Sequence, residues 1–213
     1  MGLQDRTARA PARLTAMATA SAAPSTQRPL RLSGDLFIWY VIALELATFS
    51  VMFVAFAFTR ARHVDLFNTA QQQLDVGMGA LNTALLLTAS WCVAHAVHAL
   101  RDAAARRAAL AWLGVGWVLG AGFVGVKIGE YADKVAQGIG LSTNLFFDFY
   151  FILTGFHLAH VLVGLVALAI VGVGIARRPD PAAQVHGLET AAAFWHLVDL
   201  LWLVLFPLVY VMR

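Results

Sequence analysis

The sequence predicts an all-α integral membrane bundle of five transmembrane helices. Of its 213 residues, 60% are hydrophobic and 13% are charged, and the mean hydropathy is +0.73. A soluble domain runs nearer half apolar and a quarter charged. The apolar residues gather into five runs, each long enough to cross a bilayer, because about 20 residues at ~1.5 Å rise cover the ~30 Å hydrocarbon core. None of the runs alternates polar and apolar residues as a membrane barrel strand does. The formal net charge is +3 and the pI is near 9.4, yet the basic residues sit in short gaps between runs, where they orient helices instead of binding nucleic acid. A single cysteine, Cys92, excludes a disulfide framework, a Cys-rich zinc site and a thiolate iron–sulfur cluster.

Residues 1–33 read as a disordered basic cytoplasmic tail, rich in Ala, Ser, Thr and Pro, with five Arg against one acid and no apolar signal-peptide core. The same Arg-rich, acid-poor composition also suits an organellar transit peptide. Residues 34–213 read as one membrane domain. Its first run, 36–58, carries Glu45 ten residues after Asp35, about 15 Å into the helix and close to the bilayer midplane. An ionisable group at that depth costs roughly 2.5–3.5 kcal/mol on insertion scales. Glu45 is therefore either a proton-linked or partner-contacting acid, or a neutral carboxyl hydrogen-bonded within the bundle.

The second run, 76–100, holds Asn82, Thr83, Thr88, Ser90, His95 and His98. The third, 108–131, ends with Lys127 and Glu130, which at i,i+3 either pair on one inward face or form an end-of-helix pair at the outer interface. Gly116 with Gly120, and Gly125 with Gly129, make two small-xxx-small pairs that let another helix approach closely. The fourth run, 145–176, exceeds the bilayer and is expected to tilt or to extend beyond it. Asp148 at its start reads as a capping acid at the positive end of the helix dipole, and Thr154, His157 and His160 follow, the two histidines sharing a face. The fifth run, 191–212, has Glu189 at its start, His196 and Asp199 on one face, and Pro207 as the only proline within a run.

Lys and Arg divide ten against four between the two sets of gaps, with Lys127 inside a span. The richer set includes the tail, so the N-terminus is expected in the cytoplasm and the C-terminus in the periplasm of a bacterial inner membrane. His160 and His196 come out at similar depth, which leaves open a membrane b-type cytochrome ligated by that pair, or a bridging metal, beside hydrogen-bonded packing histidines. Glu45, Lys127 and Glu130 also admit a small transporter, although the chain shows no internal repeat and no Gly/Pro-broken mid-membrane segment.

The segments GDLFIWYVIALELATF (34–49), LNTALLLTASW (81–91), KIGEY (127–131), FYFILTGFHLAHVLVG (149–164) and ETAAAFWHLVDLLWLVLFPLVY (189–210) resemble subunit III of the haem-copper oxidases. The resemblance runs in family order over residues 34–213, and the combination of TGFHxxHV with WHxVDxxW is its most specific part. Within the family, the five-helix length, Lys127 ahead of Glu130-Tyr131 and the ending DLLWLVLFPLVY are similar to the NorE-like branch associated with nitric oxide reductase. The other branch is the short bacterial form of cytochrome c or quinol oxidase subunit III.

The resemblance implies a non-catalytic subunit that binds neither haem nor copper, both of which would reside only in partner subunits. It implies packing against the catalytic subunit, phospholipid held between helices, and support of assembly, proton uptake and durability in aerobic respiratory or denitrification electron transport. By position it implies that Glu45 is the intramembrane acid facing the catalytic subunit. It places Asn82, Lys127, Glu130, Tyr131, His157, His160, Glu189, His196 and Asp199 in a structural, lipid-supporting polar network, with no catalytic residue and no metal ligand. The chain lacks the first two helices of longer members, which help to form their lipid cleft, and Asp148 stands where an apolar residue is expected. The residues agree with an accessory role on one point: the chain has neither the matched histidines of an oxidase catalytic subunit nor the Cys pair of a copper-binding one.

Overall fold

A backbone that crosses hydrocarbon finds no water for its N–H and C=O groups and must close its hydrogen bonds on itself, which dictates helix for each apolar run. The computed structural model describes residues 36–101, 105–177 and 181–212, and these are helical almost throughout. In order they form α1 (Leu36–Arg62), α2 (Val64–Gln71), α3 (Val76–Arg101), α4 (Arg106–Ala136), α5 (Leu145–Arg177) and α6 (Pro181–Phe206), the last continued by a π-helical turn, Pro207–Val211. Five segments are long and apolar enough to cross a membrane: Ile38–Arg62, Val76–Arg101, Arg106–Ala136, Leu145–Arg177 and Gln184–Val211. The expected tail, 1–33, and the basic residues Arg178 and Arg213 lie outside the described residues.

Three features depart from the sequence reading. The first is α2, which has no counterpart among the five runs; it is amphipathic and buries Phe67, Ala70 and Gln71. The second is α6, which begins ten residues before its apolar run. Proline is tolerated at a helix start, where its missing N–H is one of the orphan donors anyway, so Pro181 can open the helix. The third concerns Asp148, which is not the cap of α5. Asn144 caps it, its Oδ1 accepting the Phe147 N–H at 3.0 Å. Asp148 Oδ1 instead accepts the Ser142 N–H at 2.6 Å, steadying a residue at φ 72°.

Helices α3, α4, α5 and α6 make an antiparallel four-helix core, and α1 lies along α5 and α6. Phe49 against Phe156 and Phe56 against Phe149 set α1 antiparallel to α5. Only 11% of the most apolar window of α1 is buried, against 56% for the last span, so α1 is an outrigger. At one end of the core, Arg101 Nη2 meets Glu189 Oε1 at 2.8 Å, and Arg106 donates to the Ala176 carbonyl at 2.6 Å. At the other end, the Lys134 ammonium reaches the Gln73 carbonyl.

Candidate functional site

Phe123, Lys127, Glu130 and Lys134 recur at i, i+4, i+7 and i+11 along α4, so one stripe of that helix faces inward. All four are buried, and Lys127 has no exposure at all. This overturns the end-of-helix alternative for Lys127 and Glu130: the pair lies within the core, because α4, α5 and α6 with its π turn enclose it and aromatic rings seal it.

The Lys127 ammonium donates all three of its protons. It contacts Glu130 Oε2 at 3.1 Å, the Tyr150 phenol oxygen at 3.2 Å and the Tyr210 phenol oxygen at 2.5 Å. Both phenols donate in turn to Glu130 Oε1 at 2.7 Å. The rings of Tyr131, Tyr150, Trp202 and Tyr210 also present their faces to the ammonium, 4.7–5.7 Å from centroid to nitrogen. Desolvating two ions costs several kcal/mol each, and such a pair persists only where geometry and further hydrogen bonds satisfy both. Here one positive and one negative charge close on each other through two phenols. Tyr131 extends the cluster by donating to Thr154 Oγ1 at 2.6 Å, and Thr154 donates to the Tyr150 carbonyl at 2.6 Å.

Tyr210 reaches this cage from the π turn. Pro207 has no N–H and cannot continue an α-helical ladder, and the widened turn re-aims the residues after it. The Val209 carbonyl accepts the Gln71 side-chain N–H at 2.8 Å. The short helix α2 thereby clamps the turn that carries Tyr210.

The remaining polar residues separate into smaller groups. Glu45 and His160 meet between α1 and α5, with His160 Nε2 3.0 Å from Glu45 Oε2 and side-chain exposures of 13% and 20%. The contact is close but not aligned as a hydrogen bond. His160 Nδ1 donates to the Phe156 carbonyl at 2.8 Å, which fixes the tautomer and leaves Nε2 towards the carboxyl. Phe49, Phe156 and Phe194 surround the imidazole. Glu45 therefore faces its own α5.

His157, one turn before His160, points the other way, against Phe123 and Trp202. The two histidines do not share a face in the packed bundle, because α5 has α1 on one flank and the core on the other. Both ring nitrogens of His157, and both polar atoms of Asn82, are buried without a hydrogen-bond partner among the described residues. Ser90 Oγ bonds His196 Nδ1 at 2.6 Å, while Oδ1 of Asp199, one turn on, has no such partner. Glu189 joins none of these and pairs with Arg101 at the end of the bundle.

The sequence reading omits Tyr150 and Tyr210, which are as important to the cage as the charges. Tyr150 stands at i−4 from Thr154 and i−7 from His157, so the polar stripe of α5 was the available signal. Tyr210 had none, since its position depends on the π turn and on Gln71. His160 and His196 each engage Nδ1 with a partner of its own, the Phe156 carbonyl and Ser90 Oγ.

The described residues thus form a multi-pass helical membrane protein in which Lys127, Glu130 and two phenols satisfy one another, with no group of three or more His, Cys, Asp or Glu side chains able to hold a metal ion. The profile of the cytochrome c oxidase subunit III family matches residues 37–213, and the chain belongs to that family. It is 28% identical over 174 residues to quinol oxidase subunit 3 of Bacillus subtilis, covering 82% of this chain and 84% of that one. It is 29% identical over 174 residues to the cytochrome bo(3) ubiquinol oxidase subunit 3 of Pseudomonas aeruginosa, covering 82% of each. Against cytochrome c oxidase subunit 3 of Thermostichus vulcanus the identity is 31% over 171 residues, covering 79% of this chain and 82% of the relative.

Proposed function

We propose that this chain is the non-catalytic subunit III of a haem-copper-type respiratory complex, packed against a catalytic subunit that carries all the haem and copper. The observation that carries the reading is the bundle itself: Lys127 and Glu130 are closed in a cage, its outer faces are apolar, and α1 is left mostly uncovered for neighbours. Glu45 and His160 are read as a proton-sharing pair at the margin facing that partner. With Nδ1 donated to a carbonyl, a hydrogen bond between Nε2 and the carboxyl needs one proton, held by either group. The other polar residues of the implied network are read as structural, and phospholipid is expected on the outer faces.

The finer reading is the NorE-like branch, with a nitric oxide-reducing partner. It draws on Lys127 ahead of Glu130-Tyr131, the residue that completes the cage. Length does not discriminate, because the chain already covers 84% of the Bacillus subtilis quinol oxidase relative. The N-terminus is placed in the cytoplasm and the C-terminus in the periplasm of a bacterial inner membrane, with residues 1–33 a disordered basic tail.

The test is affinity purification of the tagged chain from gently solubilised membranes, with mass spectrometry of stoichiometric partners and a reduced-minus-oxidised spectrum. A haem-copper-type catalytic subunit should co-purify, and its substrate selects between the oxygen and nitric oxide branches. The haem signal should leave with that partner. A chain that came alone and kept a haem band would overturn the proposal in favour of a cytochrome ligated by His160 and His196.

A further inference from the structure

Three hydrogen-bonding side chains meet at the seam of α3 and α6, away from the Lys127–Glu130 cage. Ser90 on α3 and Asp199 on α6 are both buried, and His196, one turn before Asp199, is half-buried. Ser90 Oγ lies 2.6 Å from His196 Nδ1, and the same hydroxyl lies against the Asp199 carboxyl. Ser90 stands near the middle of the span Val76–Arg101, and Asp199 near the middle of Gln184–Val211. Trp91 and Leu200, their next neighbours in sequence, are exposed, so the seam lies just beneath the outer surface of the bundle.

The charges nearest this seam are engaged elsewhere. Lys127 gives its protons to Glu130, Tyr150 and Tyr210, and Arg101, at the end of α3, pairs with Glu189. His95 on α3 is turned to the Trp91 carbonyl of its own helix. The Glu45–His160 pair lies on the other flank of α6, where Leu197 and Leu201 pack on Phe49. No lysine or arginine among the described residues pairs with Asp199. An ionised Asp199 beside a neutral imidazole would be an uncompensated charge at bilayer depth, and a proton taken up by the group removes that cost.

We propose that Ser90, His196 and Asp199 form a second proton-sharing site, in which the Ser90 hydroxyl relays one proton between the Asp199 carboxyl and the His196 imidazole. A hydroxyl has one proton to give and lone pairs to receive another, so it can point either way between two partners. In one arrangement the Asp199 acid O–H donates to Ser90 Oγ, and the Ser90 O–H donates to His196 Nδ1. Two hops reverse it: the Asp199 proton passes to Ser90 Oγ as the Ser90 proton passes to Nδ1, leaving a carboxylate, a hydroxyl and an imidazolium. Both arrangements hold the same protons and no net charge, and the first, with every member neutral, is favoured where water is excluded. The site gives His196 and Asp199 a role beyond the accessory-subunit reading and stands without it, since it uses only residues of this chain.

The test uses the full chain in lipid bilayers, with infrared spectroscopy for protonated carboxyl groups and nitrogen NMR for the histidine rings. The wild type should show a carboxylic acid band that shifts in heavy water, that Asp199→Asn removes and that Glu45→Gln leaves in place. Ser90→Ala should move both that band and the His196 ring resonances, and His196→Gln should move the band, because the relay couples all three groups. Thr88→Val, which takes an exposed hydroxyl from the same helix, should leave both signals as in wild type. An Asp199→Asn spectrum that keeps every acid band would overturn the proposal. So would a Ser90→Ala chain of wild-type helix content whose Asp199 band and His196 resonances have not moved. A wild-type His196 whose Nδ1 resonance is that of a nitrogen without a hydrogen bond would overturn it with no variant needed. Co-purification of a haem-bearing partner reports separately on the accessory-subunit reading.

Discussion

Two acid–base pairs lie inside this bundle, and they are built to opposite specifications. Lys127 and Glu130 sit one turn apart on a single helix, enclosed by α4, α5 and α6, with two phenols closing every donor and acceptor between them. Glu45 and His160 come from different helices, one of them the peripheral α1, and are partly exposed and imperfectly aligned. The first arrangement fixes helices and offers no free site for proton exchange. The second is partly exposed at the margin of the bundle and is not closed by a hydrogen bond, which is the geometry that the proton-sharing role proposed for it needs. The same residue chemistry is made structural or adjustable by how many helices surround it.

The sharpest way to break this comparison is to remove one charge from each pair. Lys127→Met leaves the Glu130 carboxylate buried with only neutral partners, and should cost about 3–5 kcal/mol, seen as a large fall in the melting temperature of the purified chain. Adding Glu130→Leu should recover at least half of that loss, since a buried pair exchanged for apolar side chains is often close to neutral. A single mutant as stable as wild type would show that the cage is not structural. Gln71→Leu tests the clamp on the π turn. It leaves the Val209 carbonyl unpaired, and about 1–3 kcal/mol should be lost, with Tyr210 fluorescence or chemical-shift changes reporting its displacement.

The two glycine pairs of α4 provide an internal control. A Cβ at Gly120 would stand 2.6 Å from the Trp195 ring, while one at Gly125 meets nothing within 4 Å. Gly120→Ala should therefore destabilise by about 1–3 kcal/mol through overpacking, whereas Gly125→Ala should be neutral or stabilise by up to about 1 kcal/mol. Paired thermal melts of the two variants decide it. The smallest expected stability effect is at the adjustable site. Glu45→Gln should change stability by less than about 1 kcal/mol, yet alter turnover or its persistence in the assembled enzyme. Turnover and inactivation kinetics identical to wild type would remove Glu45 from the functional residues.

Both glycine pairs were legible in the sequence as small-xxx-small motifs, and nothing in their spacing told them apart. Only packing shows Gly116 and Gly120 pressed against α3, Trp195 and Leu165 while Gly125 and Gly129 face outward. The i,i+3 spacing of Lys127 and Glu130 was likewise readable, but whether the pair lay at an interface or in the core was not. His157 and His160 looked like neighbours on one face, and the bundle sends one against Trp202 and the other against Glu45.

The amino-acid sequence alone determined the five spans, their helical state and the family motifs. Hydrocarbon enforces the first two: a run of about 20 apolar residues must cross it, and a crossing backbone must satisfy its own hydrogen bonds. Tertiary structure decided which face of each helix turns inward. These helices are apolar nearly all round, so they lack the polar-versus-apolar stripe that orients a helix at a water-facing surface. Inward and outward were settled instead by the fit of Trp195 over Gly120 and Gly164, by the π turn that delivers Tyr210, and by α2, whose Gln71 holds that turn in place.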